Sequence, residues 1–168
     1  AAHYGVGGPR LAEMVRNEQV EAYNWPQGVL AVMPRHVAGR RGGVFTKVGL
    51  GTFVDPRLEG GKINRRAQED LVEVRELDGE EFLYFKPPRV NVALIRGTTA
   101  DEHGNITLSR EGVLTDALTI AQAARACGGI VIAQVEDVAR AGTLHPKQIK
   151  VPGVLVDAVF VADPEHHI

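Results

Sequence analysis

The 168-residue sequence has little of several features, and each scarcity narrows the possible functions. Its single cysteine, Cys127, cannot form an internal disulfide, so the chain is compatible with a reducing compartment. Its formal net charge of -2 gives no electrostatic footprint for nucleic acid or for an anionic membrane surface. No apolar run approaches the roughly 20 residues that span a bilayer. We therefore expect a cytoplasmic protein with neither a nucleic-acid partner nor a membrane partner.

The composition bounds the number of domains. With 44% hydrophobic and 24% charged residues, the chain can bury one sizeable core, so one domain is the expected count. The sequence begins without methionine and stops soon after an apolar, strand-like run, so we expect a piece of a longer polypeptide. The adjacent His166 and His167 cannot share one face of a helix or strand, so no metal site is expected there.

The second half of the chain alternates strand and helix signals. Strands buried on both faces of a parallel sheet are predicted by three β-branched apolar runs, at residues 90–95, 130–135 and 154–162. Residues 116–127 predict a covering helix that Gly128 and Gly129 end. This alternation indicates an α/β fold with an open, mostly parallel sheet flanked by helices.

The first half predicts shorter elements. Helices are predicted at residues 9–19 and 28–38, and strands at residues 20–25 and 44–48. Asp78 and Gly79 lie between two further alternating runs, which is typical of a tight turn. We therefore expect a small antiparallel hairpin inserted in the α/β fold.

A glycine-rich segment at residues 49–64, here called the glycine loop, fits neither helix nor strand periodicity and carries both charge signs. Gly49, Gly51, Gly60 and Gly61 allow positive φ and close backbone approach to a ligand, while Pro56 stiffens the middle. We interpret the segment as a shaped, semi-rigid binding loop. The alternative is an ordinary long connection, although structureless loops beyond roughly 12 residues are uncommon in compact domains.

Ligands of open α/β sheets bind outside the carboxyl ends of the strands. Four segments follow predicted strands and are expected to line one crevice: residues 26–28, the glycine loop, residues 96–101 and residues 136–137. Gln27 offers a neutral N–H donor that suits an oxyanion hole, unless it only caps the helix or satisfies a turn. Glu136 is a candidate to orient a site residue, unless it is a strand-end charge that faces solvent or forms a salt bridge.

Five segments, in this order, resemble a known family. They are WPQG at residues 25–28, TKVGLGTFVDPRLEGGKIN at 46–64, ALIRGTTADEHGNIT at 93–107, GGIVIAQVEDV at 128–138 and TLHPKQIKVPGVLVDAVFVA at 143–162. The chain resembles the α-type half of family I CoA-transferases, in particular the acetate and propionate CoA-transferases. The resemblance covers nearly the whole chain and implies the CoA-transferase, NagB-like fold.

The resemblance also implies a ping-pong reaction between a short-chain acyl-CoA and a carboxylic acid of the acetate, propionate or 3-oxoacid class. A glutamate attacks the acyl-CoA thioester, and a glutamyl-CoA thioester follows through an anhydride. The family's glutamine in the PQG segment donates to the oxyanion, and the matching residue here is Gln27. The family's nucleophilic glutamate lies in the β-type half, in a Glu-Asn-Gly or similar turn, and this sequence contains no Glu-Asn-Gly. The sequence also lacks the glycine-rich strand and turn that open the α-type half.

We therefore expect residues 1–168 to be a single partial domain that is inactive alone. Gln27 is the expected catalytic donor, and the expected substrate contacts are Pro26, Gly28, Gly49, Leu50, Gly51, Thr52, Phe53, Gly97, Thr98 and Glu136. CoA enters as a substrate, with no permanently bound cofactor and no metal. The expected partners are the acyl-CoA and carboxylate substrates, a β-type catalytic half on the same or a separate polypeptide, and further copies in a homo-oligomer. The alternatives are an acyl-CoA hydrolase of the same fold and a non-catalytic ligand-binding or interaction domain.

Overall fold

The computed structural model describes residues 8–114 and 116–166, which group into two compact units. The first unit comprises residues 8–33 and 42–87, and the second comprises residues 34–41, 88–114 and 116–166. The first seven residues and the side chains of the His166 and His167 pair lie outside the described residues. The number of domains in the protein stays a prediction.

Two helices begin the described chain, α1 at Pro9–Arg16 and α2 at Gln27–Ala38. Pro9 opens α1 because its fixed φ suits a first helical position, where no intrahelical N–H is needed. The predicted strand at residues 20–25 is wrong, since the described structure has only one isolated bridge there, between Tyr23 and Lys62. Six alternating residues specify a face, but they do not supply a strand with which to pair.

The first unit contains an antiparallel sheet of three strands. These are β1 (Val44–Thr46), β2 (Val72–Leu77) and β3 (Glu80–Phe85), in the order β1-β3-β2. Asp78 and Gly79 both have positive φ, 52° and 79°, as a two-residue hairpin turn requires, so the predicted hairpin is confirmed. Leu83 and Phe85 on β3 are fully buried, and the Trp25 ring meets Phe85 edge-on.

Besides the end of α2 and three short 3-10 helices, the second unit contains one α-helix and seven strands among its described residues. They are β4 (Val92–Arg96), β5 (Thr99–Asp101), β6 (Ile106–Thr107), α3 (Ala117–Ala126), β7 (Ile130–Val135), β8 (Asp137–Ala139), β9 (Ile149–Val151) and β10 (Ala158–Val161). Strands β10, β7 and β4 form a parallel sheet in that order, and β8, β5, β6 and β9 form a second, mixed sheet. The predicted α/β fold with a parallel sheet and a small antiparallel hairpin is confirmed.

Helix α3 covers one face of the parallel sheet. Ala121 and Ala124 belong to the same buried cluster as Ala93, Val131 and Ala133 of the strands. Small side chains on both elements let the helix approach the sheet closely. This packing holds the carboxyl ends of β4 and β7, where two of the expected site segments begin.

The opposite face of the parallel sheet is apolar but open. Val92, Leu94, Ile130 and Phe160 are 49%, 74%, 48% and 49% exposed. The prediction that these strands are buried on both faces is therefore wrong for this chain, since α3 covers only the alternate side chains. No helix among the described residues is both long and apolar enough to cross a membrane.

Candidate functional site

Gln27 is the first residue of α2, and its side chain is exposed. The Pro26 carbonyl accepts hydrogen bonds from the N–H groups of Val29 at 2.9 Å and Leu30 at 3.2 Å, which closes the first helical turn without Gln27. Within residues 8–114 and 116–166, no hydrogen bond engages the Gln27 amide side chain. Its amide therefore neither caps the helix nor closes a turn in the described structure, and its N–H groups can reach a ligand.

An apolar pocket of about 260 Å³, here called the α2 pocket, lies at the start of α2, and both sequence neighbours of Gln27 line it, although Gln27 itself does not. Pro26 and Gly28 line it together with the side chains of Val29, Val32, Val44, Phe45, Thr46 and Val48. A Cβ atom added to Gly28 would meet no atom within 4 Å, so no contact within the chain requires glycine there. An apolar pocket next to free amide donors suits a ligand whose hydrocarbon part adjoins a polarised carbonyl group.

The glycine loop is folded into a series of tight turns. Thr52 N–H donates to the Gly49 carbonyl at 3.1 Å, and Gly61 N–H donates to the Phe53 carbonyl at 3.0 Å. Gly49, Gly51, Gly60 and Gly61 all have positive φ, at 103°, 70°, 64° and 72°, so that expectation is confirmed. The loop has a defined shape because these bonds satisfy its backbone internally.

The far end of the glycine loop pairs with the segment that leads to Gln27. Asn24 N–H donates to the Gly61 carbonyl at 2.7 Å, and Ile63 N–H donates to the Ala22 carbonyl at 2.9 Å. A Cβ on Gly61 would lie 2.7 Å from the Asn24 carbonyl oxygen, so only glycine allows this close approach. The loop and the Pro26-Gln27 segment are thus held together within the first unit.

Asp55, inside the glycine loop, is a buried ionisable group, with 1% of its surface exposed. The Arg57 guanidinium donates to both of its carboxylate oxygens and holds the pKa of Asp55 well below its ordinary range. Burial would raise this pKa, but the N–H donors of Gly51 and Arg57 add to the lowering. Asp55 is therefore ionised at neutral pH.

In the second unit, the ends of β4 and β7 meet as expected. Gly97 N–H donates to the Gln134 carbonyl at 2.9 Å, and Glu136 N–H donates to the Thr98 carbonyl at 2.9 Å. A Cβ on Gly97 would lie 2.2 Å from Cγ2 of Ile106, so packing alone accounts for glycine there. These contacts bring three of the sequence-predicted site residues together.

Two of these residues already have partners within the unit. The Thr98 side chain is buried, and its Oγ1 accepts a hydrogen bond from Arg110 N–H at 2.9 Å. Oε2 of Glu136 lies 2.7 Å from Nη1 of Arg110, so the salt-bridge interpretation of Glu136 holds in the structure. Arg110 and Glu136 also line a pocket of about 300 Å³. The four expected site segments belong to both units, so their placement in one crevice stays a prediction.

No group of three or more His, Cys, Asp or Glu side chains is arranged to hold a metal ion within residues 8–114 and 116–166. Sequence reasoning missed the apolar walls of the α2 pocket, chiefly Val32, Phe45 and Val48. These side chains are 38%, 45% and 62% exposed, whereas Val29 and Met33 on the buried stripe of α2 are 3% exposed. For Val32 the sequence did offer a signal, since an apolar residue beside the buried stripe of an amphipathic helix indicates a second apolar contact.

Comparison with known proteins gives consistent matches along the chain. The family model "Coenzyme A transferase" matches residues 2–162. The caffeate CoA-transferase of Acetobacterium woodii is 53% identical over 162 residues, which cover 96% of this chain and 31% of that protein. The acetate CoA-transferase YdiF of Escherichia coli K12 is 45% identical over 163 residues, which cover 97% of this chain and 30% of that protein.

A solved structure agrees with these sequence matches. The thioester complex of the Escherichia coli O157:H7 acyl-CoA transferase YdiF with CoA superposes with a TM-score of 0.88 at 44% identity, covering 94% of this chain and 31% of that one. The chain thus spans about 30% of the length of these three relatives. On the strength of the family model and these relatives, the chain belongs to the coenzyme A transferase family.

Proposed function

We propose that the complete protein containing this chain transfers CoA from a short-chain acyl-CoA to a carboxylic acid, and that residues 1–168 bind and polarise the thioester. The observation that carries this proposal is the Gln27 amide at the start of α2, which is exposed and has no hydrogen bond to the residues that the structure describes, while its neighbours Pro26 and Gly28 line the α2 pocket. The relatives support the reaction class, since one is named a caffeate CoA-transferase and another an acetate CoA-transferase.

The proposed chemistry proceeds by two covalent exchanges on a glutamate outside residues 1–168. A glutamate carboxylate oxygen attacks the thioester carbonyl carbon, the C–S bond breaks, and CoA leaves as the thiolate. The thiolate then attacks the glutamyl carbonyl of the resulting anhydride, which releases the first carboxylate and leaves a glutamyl-CoA thioester. An acceptor carboxylate reverses both exchanges, so the glutamate is regenerated with no net proton change. A relative's structure described as a thioester complex with CoA supports this intermediate.

Gln27 stabilises the oxyanion that each attack creates. The negative charge grows on a carbonyl oxygen as the tetrahedral carbon forms, so a preorganised amide N–H binds the transition state more tightly than the substrate. A ligand that covers the exposed walls of the α2 pocket excludes water from the start of α2, which lowers the local dielectric constant and strengthens the hydrogen bond. The apolar lining of Val29, Val32, Phe45 and Val48 fits the hydrocarbon part of the thioester.

The glycine loop supplies substrate contacts next to the same donor. Residues 49–53 hold the expected contacts, and the loop is tied by hydrogen bonds at residues 61–63 to the segment that precedes Gln27. Backbone N–H groups in tight, glycine-rich turns approach polar ligand atoms without steric hindrance from side chains. In the second unit, Gly97 and Thr98 shape the edge of the sheet and Glu136 pairs with Arg110, and we propose Gly97, Thr98 and Glu136 as further substrate contacts.

The remaining partners follow from the length of the relatives. This chain corresponds to about 30% of the acetate CoA-transferase, so we place the nucleophilic glutamate in a β-type half on the same or a separate polypeptide. We assign the protein to the cytoplasm, to short-chain fatty acid or ketone body metabolism, and to a homo-oligomer. The acceptor is an acid of the acetate, propionate or 3-oxoacid class.

The test is a CoA exchange assay on the complete protein with acetyl-CoA and propionate. The proposal predicts propionyl-CoA and free acetate in equal amounts, with no free CoA accumulating. It also predicts that incubation with acetyl-CoA alone leaves a protein-bound thioester that hydroxylamine releases or borohydride reduces.

Two results would replace the proposal by an alternative. Free CoA that accumulates without an acceptor acid would identify an acyl-CoA hydrolase, because water would then take the place of the second carboxylate. Binding of acetyl-CoA with neither exchange nor a trapped thioester would identify a non-catalytic ligand-binding domain.

A further inference from the structure

The glycine loop is folded around a buried carboxylate to which the proposed transfer assigns no role. Asp55 is 1% exposed. Its Oδ2 accepts a hydrogen bond from Gly51 N–H at 2.9 Å, and its Oδ1 accepts one from Arg57 N–H at 3.0 Å. The Arg57 guanidinium donates from Nε to Oδ1 at 3.0 Å and from Nη2 to Oδ2 at 2.8 Å. Each carboxylate oxygen therefore has two donors.

The backbone of Asp55 closes the turns on either side of it. Asp55 N–H donates to the Thr52 carbonyl at 2.8 Å. The Asp55 carbonyl in turn accepts from Leu58 N–H at 2.9 Å and from Gly60 N–H at 3.1 Å. Main chain and side chain together join residues 51–60 to a single residue, so the shape of the glycine loop depends on Asp55.

Arg57 links this arrangement to the hairpin. Its Nη1 donates to both carboxylate oxygens of Glu81 on β3, at 3.1 Å and 2.9 Å. The guanidinium thus makes a two-pronged contact with Asp55 through Nε and Nη2 while Nη1 binds a second carboxylate, a geometry that arginine supports and lysine does not. The glycine loop is therefore fixed against a regular strand as well as internally.

The outer side of the loop is open. A Cβ added to Gly51 would meet no atom within 4 Å, and Phe53 is 44% exposed. Asp55 contacts Gly51 from the inner side, through the N–H that fixes the orientation of this turn. Asp55 thus fixes the backbone of this turn, while residues 51–53, which are expected to contact the substrate, are exposed to solvent.

We propose that Asp55 is a positioning residue that holds residues 49–53 in the shape that binds the acyl-CoA thioester. This inference rests on the proposed function, because it assigns the loop to that same substrate. A loop ordered before binding loses little conformational entropy when the ligand arrives, so it binds more tightly than a mobile one. Asp55 touches no reacting atom, and its loss raises KM for acyl-CoA more than it lowers kcat.

The test compares Asp55→Asn with the unaltered complete protein in the CoA exchange assay. Asparagine keeps the size of the side chain and one acceptor oxygen, but it removes the charge and presents an N–H₂ group to Arg57. We expect KM for acetyl-CoA to rise about tenfold or more while kcat changes less than about threefold. This pattern results when a variant loses equal binding energy in the ground state and in the transition state.

A matched control separates positioning from stability. Asp157 also accepts from one backbone N–H, that of Val131, and from one arginine, Arg125, but it belongs to none of the candidate site segments. Asp157→Asn should lower the melting temperature and leave KM for acetyl-CoA unchanged. A second variant, Arg57→Gln, keeps the two backbone donors of Asp55 and changes a residue whose side chain is 52% exposed. Arg57→Gln should also raise KM for acetyl-CoA, by at least about threefold.

The outcomes distinguish this inference from the proposed function. Exchange by the unaltered protein, with KM unchanged in Asp55→Asn, would overturn the positioning role, even if the melting temperature falls as it does in Asp157→Asn. If Asp55→Asn does not fold, Arg57→Gln decides, and an unchanged KM in that variant overturns the inference. If the unaltered protein transfers no CoA, the proposed function fails, and the positioning role fails with it.

Discussion

Gln27 and Asp55 have different tasks because their surroundings differ. Gln27 is neutral and exposed at a helix start, and its amide bonds to none of the described residues, which suits a donor to a charge that exists only during the reaction. Asp55 is charged, buried and fully bonded, which suits a group that sets the shape of its surroundings. The two residues are joined through the glycine loop, whose last turn pairs with the segment that precedes Gln27.

At Gln27, removal of the amide should slow chemistry without weakening binding. We expect Gln27→Ala to lower kcat for CoA exchange about 100-fold, with KM for acetyl-CoA nearly unchanged, since the hydrogen bond strengthens in the transition state. Steady-state kinetics of the complete protein measure both constants. The matched control is Gln19→Ala, because Gln19 is also an exposed glutamine of the first unit and lies outside the site. Equal kcat values in the two variants would refute the role of Gln27.

The contribution of Asp55 to the free energy of unfolding should depend on pH only under acid conditions. The pKa of Asp55 is lowered in the folded protein, so ionised Asp55 stabilises the fold at every pH above the unfolded-state pKa of about 3.9. As pH falls below that value, the unfolded chain takes up the proton first and the stabilisation declines.

Thermal unfolding of the unaltered protein and of Asp55→Asn checks this dependence. The variant should be less stable by about 1–3 kcal/mol near neutral pH, because a buried donor loses its acceptor. The difference should be constant down to about pH 4 and should shrink below it. A difference that grows under acid conditions would contradict the pKa direction of Asp55.

At the scale of elements, the sequence predicts best where the signal is local. The hairpin follows from Asp78 and Gly79, since a two-residue turn needs positive φ at both positions and these residue types adopt it. Strand β7 matches its apolar run at both ends, because β-branched residues at 130–135 favour extended backbone. The positive φ of the loop glycines was predictable for the same reason.

Elements and site features that depend on distant partners could not be read from the sequence. Residues 20–25 alternate like a strand, yet only Tyr23 forms a bridge, and its partner is the irregular glycine loop. The network of Asp55, Arg57 and Glu81 joins residues 24 positions apart, so residue spacing does not reveal it. Leu94 is exposed because covering a sheet face requires another element, which an apolar run does not specify.

Among the elements, the junction after β4 should be sensitive to added volume. Gly97→Ala would place a methyl group 2.2 Å from the fully buried Ile106 in the present structure, so the sheet must shift. We expect a loss of about 2 kcal/mol or more in the free energy of unfolding. Gly112→Ala is the matched control, since a Cβ there meets no atom within 4 Å, and it should be neutral within about 0.5 kcal/mol. Similar stability of the two variants in denaturant titration would contradict the packing argument.

At the scale of the whole molecule, two features agree with the proposal that this chain is the binding part of a larger protein. Its open apolar sheet face, with Leu94 74% exposed, is unusual for a parallel sheet, which is normally covered on both sides. The chain also spans only about 30% of the length of the caffeate and acetate CoA-transferases that it resembles. Both observations support a complete protein in which further polypeptide supplies the nucleophilic glutamate, so we expect residues 1–168 alone to be inactive.

The central claim is that this chain binds and polarises the thioester, while the nucleophile lies elsewhere in the complete protein. Its most direct test is to incubate the complete protein with acetyl-CoA, trap the thioester with borohydride, and locate the modified residue by peptide mass spectrometry. We expect a single modified glutamate outside residues 1–168, formed more slowly in Gln27→Ala. A modified glutamate within residues 1–168 would contradict the account, and so would steady CoA exchange without any trapped glutamate.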